Sequence, residues 1–253
     1  MMSSLIYLLI IFCIIIPTSS FGAGNISVEN IRHAKKILEK KIYYDHRVTV
    51  YCQASFDATK KICLPDGFVT PEHSKRAFKV EWEHIVPVEN FGRSFEEWRN
   101  GDPVCVDSRG KSFRGRRCAQ KANEDFRRME ADMYNLYPAI GAVNAMRANY
   151  NFRILEENIP PTFGSCDMKI CGNKVEPPEH ARGVIARTYK YMDASYPNYK
   201  MSHQQKNLMD AWDEQYPVDE WECIRTSRIE AIQGNENRFV KNMCIQKGLW
   251  PSH

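Results

Sequence analysis

The apolar positions of this chain recur at changing periods. SVENIRHAKKILEKK carries Ile31, Ala34 and Leu38 at helical spacing, with Ser27 placed to cap and Asn30 three residues on, and reads as a packing helix without a chemical role. RVTVYC then alternates, putting Val48, Val50 and Cys52 on one face of a strand. From Lys79 to Val88 the alternation returns: Val80, Trp82, His84 and Val86 share one face, Glu81, Glu83 and Ile85 the other, and Pro87 ends the run. In NEDFRRMEADMYNLY the period becomes three and four, so Phe126, Met129, Met133 and Leu136 predict one helix, disturbed at Pro138. Three further helices are predicted in PPEHARGVIARTYKYMD, SHQQKNLMDAWDEQ and VDEWECIRTSRIEAIQ, which makes the C-terminal half mostly helical. Trp82, Trp98, Trp212 and Trp221 read as packing groups, and Phe113, Tyr189 and Tyr191 as core in preference to base-stacking surfaces.

The front of the chain has another pattern. Leu5 to Ile16 is uncharged and apolar and is followed by Pro17 and small residues, as in a secretory signal; cleavage after Ser20 or Gly22 fits. A helix over that stretch reaches about 18 Å, short of a hydrocarbon core of about 30 Å, which argues against a spanning anchor. The chain therefore divides into a signal at 1–22 and one domain at 23–253, since no repeat or low-complexity linker interrupts a sequence that is 43% hydrophobic. Cys13 leaves with the signal. The eight that remain are Cys52, Cys63, Cys105, Cys118, Cys166, Cys171, Cys223 and Cys244, an even number that in an exported chain without a CxxC pair points to disulfides over zinc. The least contorted pairing joins sequence neighbours, 52 with 63, 105 with 118, 166 with 171 and 223 with 244, out of about 105 connectivities.

Net charge is only +4, so any signal for a polyanion must lie in where the charge sits. Arg109, Lys111, Arg114, Arg116, Arg117 and Lys121 fall within thirteen residues that contain no acid, RGKSFRGRRCAQK, which reads as a basic loop. Arg182, Arg187 and Lys190 are further candidate phosphate contacts on a helix, although any one basic residue can equally be a solvated surface charge. In EWEHIVPVE, the neutral imidazole of His84 can take a proton from water near neutral pH. Glu83 can hold a cation, and Asn135 can add a neutral amide oxygen, because Mg²⁺ takes oxygen ligands and keeps several waters. Alone the pair is a weak motif. His84 can also be a hydrogen-bonded, partly buried ring, and Asn135 an amide that satisfies backbone near Pro138.

Taken together the blocks are specific. EWEHIVPVENFG, FRGRRCA, MEADMYNLYPAIGAVNAMRANYNF, EPPEHARGVIARTYKYM and YPVDEWECIRTSRIEAIQGNENRF resemble, in that order, the bacterial endonuclease I family of periplasmic and extracellular DNases. The resemblance implies an α+β fold: a mainly helical, disulfide-stapled single domain around a ββα-metal (His-Me finger) core. It implies His84 as general base, Glu83 and Asn135 as ligands of a Mg²⁺-type ion, and Arg116 as the phosphate-stabilising arginine beside Arg114 and Arg117. It further implies a periplasmic or secreted monomer that cuts single- and double-stranded DNA to 5′-phosphate ends, with RNA as a further candidate substrate. Contacts to the backbone through Arg109, Lys111, Arg114, Arg117, Lys121, Arg182 and Arg187 would carry no sequence information. Two other classes share these residues: a nucleic-acid binding protein without activity, and a hydrolase of another substrate using Glu81, Glu83 and His84.

Overall fold

The computed structural model describes residues 24–251; the expected signal sequence and Cys13 lie outside the described residues. The first helix, α1 (Ile31–Ile37), is capped by Asn30, whose side chain accepts from the amides of Arg32 and His33. Ser27 instead donates to the Gln233 carbonyl at 2.7 Å, so the expected cap serves a long-range contact. The helix then widens into a π-helical turn, Leu38–Ile42. The strand expected over RVTVYC does not form. Val48 makes one isolated bridge to Ser55, and the buried residues are Thr49 and Tyr51, the parity opposite to the expected one.

The alternating run from Lys79 does become a strand, β1 (Val80–His84). Short helices α2 (Val88–Gly92) and α3 (Glu96–Arg99) follow Pro87. The basic segment is a loop only as far as Gly115; from there it is helix α4 (Arg116–Ala122). Gly115 enters that helix at φ +80°, a conformation that suits glycine. Next comes α5 (Glu124–Glu130), and here the predicted long helix stops. Asp132 accepts from the Tyr134 amide and from the phenols of Tyr191 and Tyr196, a set of bonds that no helical course of residues 131–136 would permit. The chain leaves α5, makes a 3₁₀ turn at Met133–Asn135, and becomes β2 (Leu136–Ile140), which contains Pro138.

β1 and β2 form a two-stranded antiparallel ladder from Val80 opposite Ile140 to His84 opposite Leu136. Helix α6 (Gly141–Arg147) starts directly from β2 and packs back on both strands. Only glycine fits at that corner. A Cβ on Gly141 would stand 2.6 Å from the Arg76 carbonyl and 2.9 Å from Glu81 Oε1. A small second sheet places β3 (Asn151–Phe152) parallel to β5 (Lys174–Glu176), which pairs antiparallel with β4 (Lys169–Cys171). The predicted C-terminal helices appear as α7 (Glu179–Ser195), α8 (His203–Gln215) and α9 (Glu220–Gln233), followed by α10 (Arg238–Gln246). The result is a mixed, mainly helical α+β domain. Trp82 and Trp212 are buried in its core, and Trp98 and Trp221 pack against it.

Disulfides join Cys105 to Cys118 and Cys223 to Cys244, as the neighbour pairing predicts. The other two predicted pairs are wrong. Cys52 joins Cys166, 114 residues away, and Cys63 and Cys171 are exposed free thiols. The fold brings the Cα atoms of Cys52 and Cys166 to 4.9 Å, so the cysteine distant in sequence is adjacent in space. Among the described residues no helix is long and apolar enough to cross a membrane.

Candidate functional site

A cavity of about 560 Å³ lies beside β1, and Val80, Glu81, Trp82, Glu83 and His84 all line it. Residues of both parities of β1 line the cavity. This is how Glu83 and His84, which diverge on an ideal strand, reach the same space. Lys35, Arg116, Asn144 and Arg147 complete the polar wall.

His84 is 8% exposed, and its Nε2 lies 2.9 Å from the carbonyl oxygen of Glu130. A carbonyl only accepts, so Nε2 carries the proton and Nδ1 is left as the basic nitrogen. Burial, and next the Arg116 charge, push the His84 pKa down to about 3, so the ring is neutral over the whole physiological range. Glu83 is 3% exposed. Its Oε1 accepts from the Tyr51 phenol at 3.1 Å and pairs with Arg147 Nη1 at 3.0 Å, while Oε2 takes no hydrogen bond from the described residues. Burial raises the Glu83 pKa to about 7 against the opposing pull of Arg147 and Tyr51. Arg147, itself buried, also donates to the carbonyls of His84 at 2.9 Å and Ile85 at 2.6 Å, which fixes the backbone where β1 ends.

Asn135 is fully buried and does not line the cavity. Its Oδ1 accepts from the Val86 amide at 2.7 Å and its Nδ2 donates to the Val86 carbonyl at 3.0 Å. The bland alternative, an amide satisfying backbone, is the one this geometry supports, and Asn135 and Glu83 do not share the cavity. The amide that does line it is Asn144, on α6. Asn144 Nδ2 donates to Glu81 Oε2 at 2.9 Å, and its Oδ1 takes no hydrogen bond from the described residues. Arg76 holds the same Glu81 carboxylate with Nε at 2.8 Å and Nη2 at 2.5 Å. Among the described residues no three His, Cys, Asp or Glu side chains converge as a metal cluster. An ion here would take Glu83 Oε2, the Asn144 amide oxygen and water or substrate oxygens. Such a hard, oxygen-only set with few protein ligands is the kind Mg²⁺ accepts.

Two cations face this wall. Arg116, at the start of α4, donates from Nε to Glu130 Oε1 at 2.5 Å and keeps a side chain that is 45% exposed. Glu130 thereby steadies Arg116 with its side chain and His84 with its carbonyl. Lys35 comes from α1, the helix expected to have no chemical role, and has no acidic partner within ion-pair distance among the described residues. Burial, and then the Arg116 charge, hold its pKa below the usual lysine value. Helical spacing alone carried no signal for Lys35, whereas Asn144 would have followed from reading LYPAI as a strand and GAVNAMR as the next helix.

Arg109, Lys111, Arg114, Arg117 and Lys121 are exposed on the lobe stapled by Cys105–Cys118, with Arg117 lying 4.5 Å from the centre of the partly buried Phe113 ring. The helix arginines differ from expectation. Arg187 is 1% exposed and is held by Glu222, Asp213 and the Tyr216 carbonyl. Arg182 donates to Glu176, the Pro177 carbonyl and the Tyr216 phenol, and Lys190 pairs with Asp210 and Asp213. Their charges are committed to carboxylates and carbonyls of the fold, with Arg187 buried and Arg182 and Lys190 only partly exposed. Tyr189 and Tyr191 are buried, as core residues should be.

A family model described as Endonuclease I matches residues 30–244. The chain is 39% identical over 225 residues to an extracellular deoxyribonuclease of Aeromonas hydrophila, covering 86% of this chain and 90% of the relative. It is 39% identical to a periplasmic deoxyribonuclease of the same organism, covering 81% and 82%. It is also 35% identical to Endonuclease-1 of Buchnera aphidicola subsp. Acyrthosiphon pisum (strain APS), covering 87% and 84%.

Proposed function

The chain belongs to the endonuclease I family, and on that premise we propose that it is an exported, divalent-metal-dependent endonuclease hydrolysing DNA phosphodiesters with little sequence preference. The observation carrying this reading is that His84, whose Nδ1 takes no hydrogen bond from the described residues, lines the same cavity as Glu83, Asn144 and Arg116.

In this reading His84 Nδ1 takes the proton from the attacking water. The ring is rigidly aimed, because Nε2 is fixed on Glu130 and the following carbonyls are fixed by Arg147. A phosphodiester arriving beside it brings negative charge, which acts against the Arg116 charge and strengthens the base. Arg116 and Lys35, which line the same cavity, neutralise the phosphoryl oxygens. Glu83 and Asn144 would hold a Mg²⁺-type ion; when bound, it supplies charge neutralisation at the phosphoryl and departing oxygens. Attack on phosphorus with the 3′-oxygen leaving gives 5′-phosphate ends. Every group in this scheme comes from one chain, in keeping with a monomeric enzyme, and backbone-directed cations admit single- and double-stranded DNA alike.

Plasmid nicking by oxidised protein tests the proposal. Activity is expected with Mg²⁺ and is expected to vanish with EDTA. His84→Ala should lose about 10²–10⁴-fold in rate while binding DNA as before. Turnover near the native level in that variant would remove His84 from its role, and nicking that survives chelation would remove the ion.

A further inference from the structure

We propose that Tyr51 and Arg147 act as a clamp on Glu83, with Tyr51 as a positioning residue whose hydroxyl sets the affinity of the site for its divalent ion. The inference rests on Glu83 being a metal ligand, as argued above.

Both donors engage the same oxygen. Tyr51 Oη lies 3.1 Å and Arg147 Nη1 3.0 Å from Glu83 Oε1, and Oε2 is left toward the cavity without a protein partner among the described residues. A carboxylate held this way cannot rotate to offer its better-paired oxygen, and one lone-pair edge is committed to the cavity. The two donors approach from different parts of the fold. Arg147 belongs to α6 and is anchored by the carbonyls of His84 and Ile85 and by the Phe152 ring, 4.7 Å from its guanidinium carbon. Tyr51 belongs to the loop whose next residue, Cys52, is tied to Cys166, and its ring is 1% exposed against Phe152.

The division of labour follows from chemistry. Arg147 supplies charge and the backbone grip, so its loss would disturb folding and catalysis together. Tyr51 supplies one neutral hydrogen bond, and its removal as Phe keeps the buried ring. Outer partners of metal-binding groups typically affect affinity or activity by about 10–100-fold when mutated.

Calorimetric titration of Mn²⁺ into DNA-free native, Tyr51→Phe and Glu83→Gln proteins separates the possibilities, with nicking rates measured across metal concentration. Tyr51→Phe is expected to weaken Mn²⁺ binding by about 10–100-fold and to recover to within a few-fold of native kcat at saturating metal. A merely structural hydroxyl would lower kcat without rescue by metal, and that result would overturn the clamp. Native affinity in Tyr51→Phe, beside lost affinity in Glu83→Gln, would remove Tyr51's role and leave the metal reading standing. Native affinity in Glu83→Gln would remove both.

Discussion

At the scale of single residues, Asn135 does not reach the cavity where a ligand role was expected of it, and Asn144, nine positions on, is an amide that does line it. Asn135 spends both ends of its amide on Val86, so it extends the β1–β2 ladder by side-chain bonds where the backbone turns away. Asn144 has one end on Glu81 and one end free at the cavity. Their substitutions should therefore separate cleanly. Asn135→Ala leaves two buried backbone groups unpaired and should cost about 1–3 kcal/mol for each, read by denaturant unfolding, while the folded fraction still turns over. Asn144→Ala sits on a half-buried helix face and should leave the melting midpoint nearly unchanged. Its turnover in Mg²⁺ should fall by at least the roughly 10–100-fold typical of outer partners of metal ligands. The reverse pattern, an inert Asn144→Ala and a well-folded but dead Asn135→Ala, would restore the assignment that the sequence suggests. The sequence made His84, Glu83 and Arg116 legible because each is part of a local motif. It hid Tyr51 and Lys35, which meet the site only through the fold.

At the scale of elements, periodicity identified β1 and the three long C-terminal helices, where one repeat runs uninterrupted and the partners are local. It failed between Glu130 and Leu136. The apolar stripe there continues in helical register, but Asp132 is drawn to Tyr191, Tyr196 and Gln233, residues from α7, the segment after it, and α9. A bond network closed over about a hundred positions outweighs a helix propensity of a few tenths of a kcal/mol per residue. The disulfides repeat the lesson, since the pairs legible from spacing, separated by 13 and 21 residues, form, whereas Cys52 crosses to Cys166. Replacing Cys52 and Cys166 together with Ser should cost about 2–5 kcal/mol, toward the upper end because the closed ring is long. Cys63→Ser with Cys171→Ser should leave unfolding in denaturant unchanged under non-reducing conditions. Equal destabilisation of the two double variants would mean that all four sulfurs contribute to the native cross-links.

At the scale of the whole molecule, a net charge of +4 conceals a segregation. The arginines of α7 are neutralised by Glu176, Asp213 and Glu222, while the stapled lobe presents Arg109, Lys111, Arg114, Arg117 and Lys121 to solvent and runs through Arg116 into the cavity beside β1. Of the two sets, the second is the one exposed to solvent, and on the proposed function it is the one expected to displace counterions from a nucleic acid. Removing one cation that neutralises a phosphate should flatten the dependence of log affinity on log salt by about 0.9 for duplex DNA. Arg114→Gln with Arg117→Gln and Lys121→Gln, made in the His84→Ala background so that the probe stays intact, should therefore lower the slope by up to about 2.7. The same flattening should appear for unrelated duplex sequences, because backbone contacts read no bases. Arg187→Met should act in the opposite way: the slope per folded molecule stays native, but stability falls by about 3–5 kcal/mol because Glu222 is left buried without its partner. A native slope in the triple variant would move the duplex off the stapled lobe, and a reduced slope in folded Arg187→Met would return α7 to the interface.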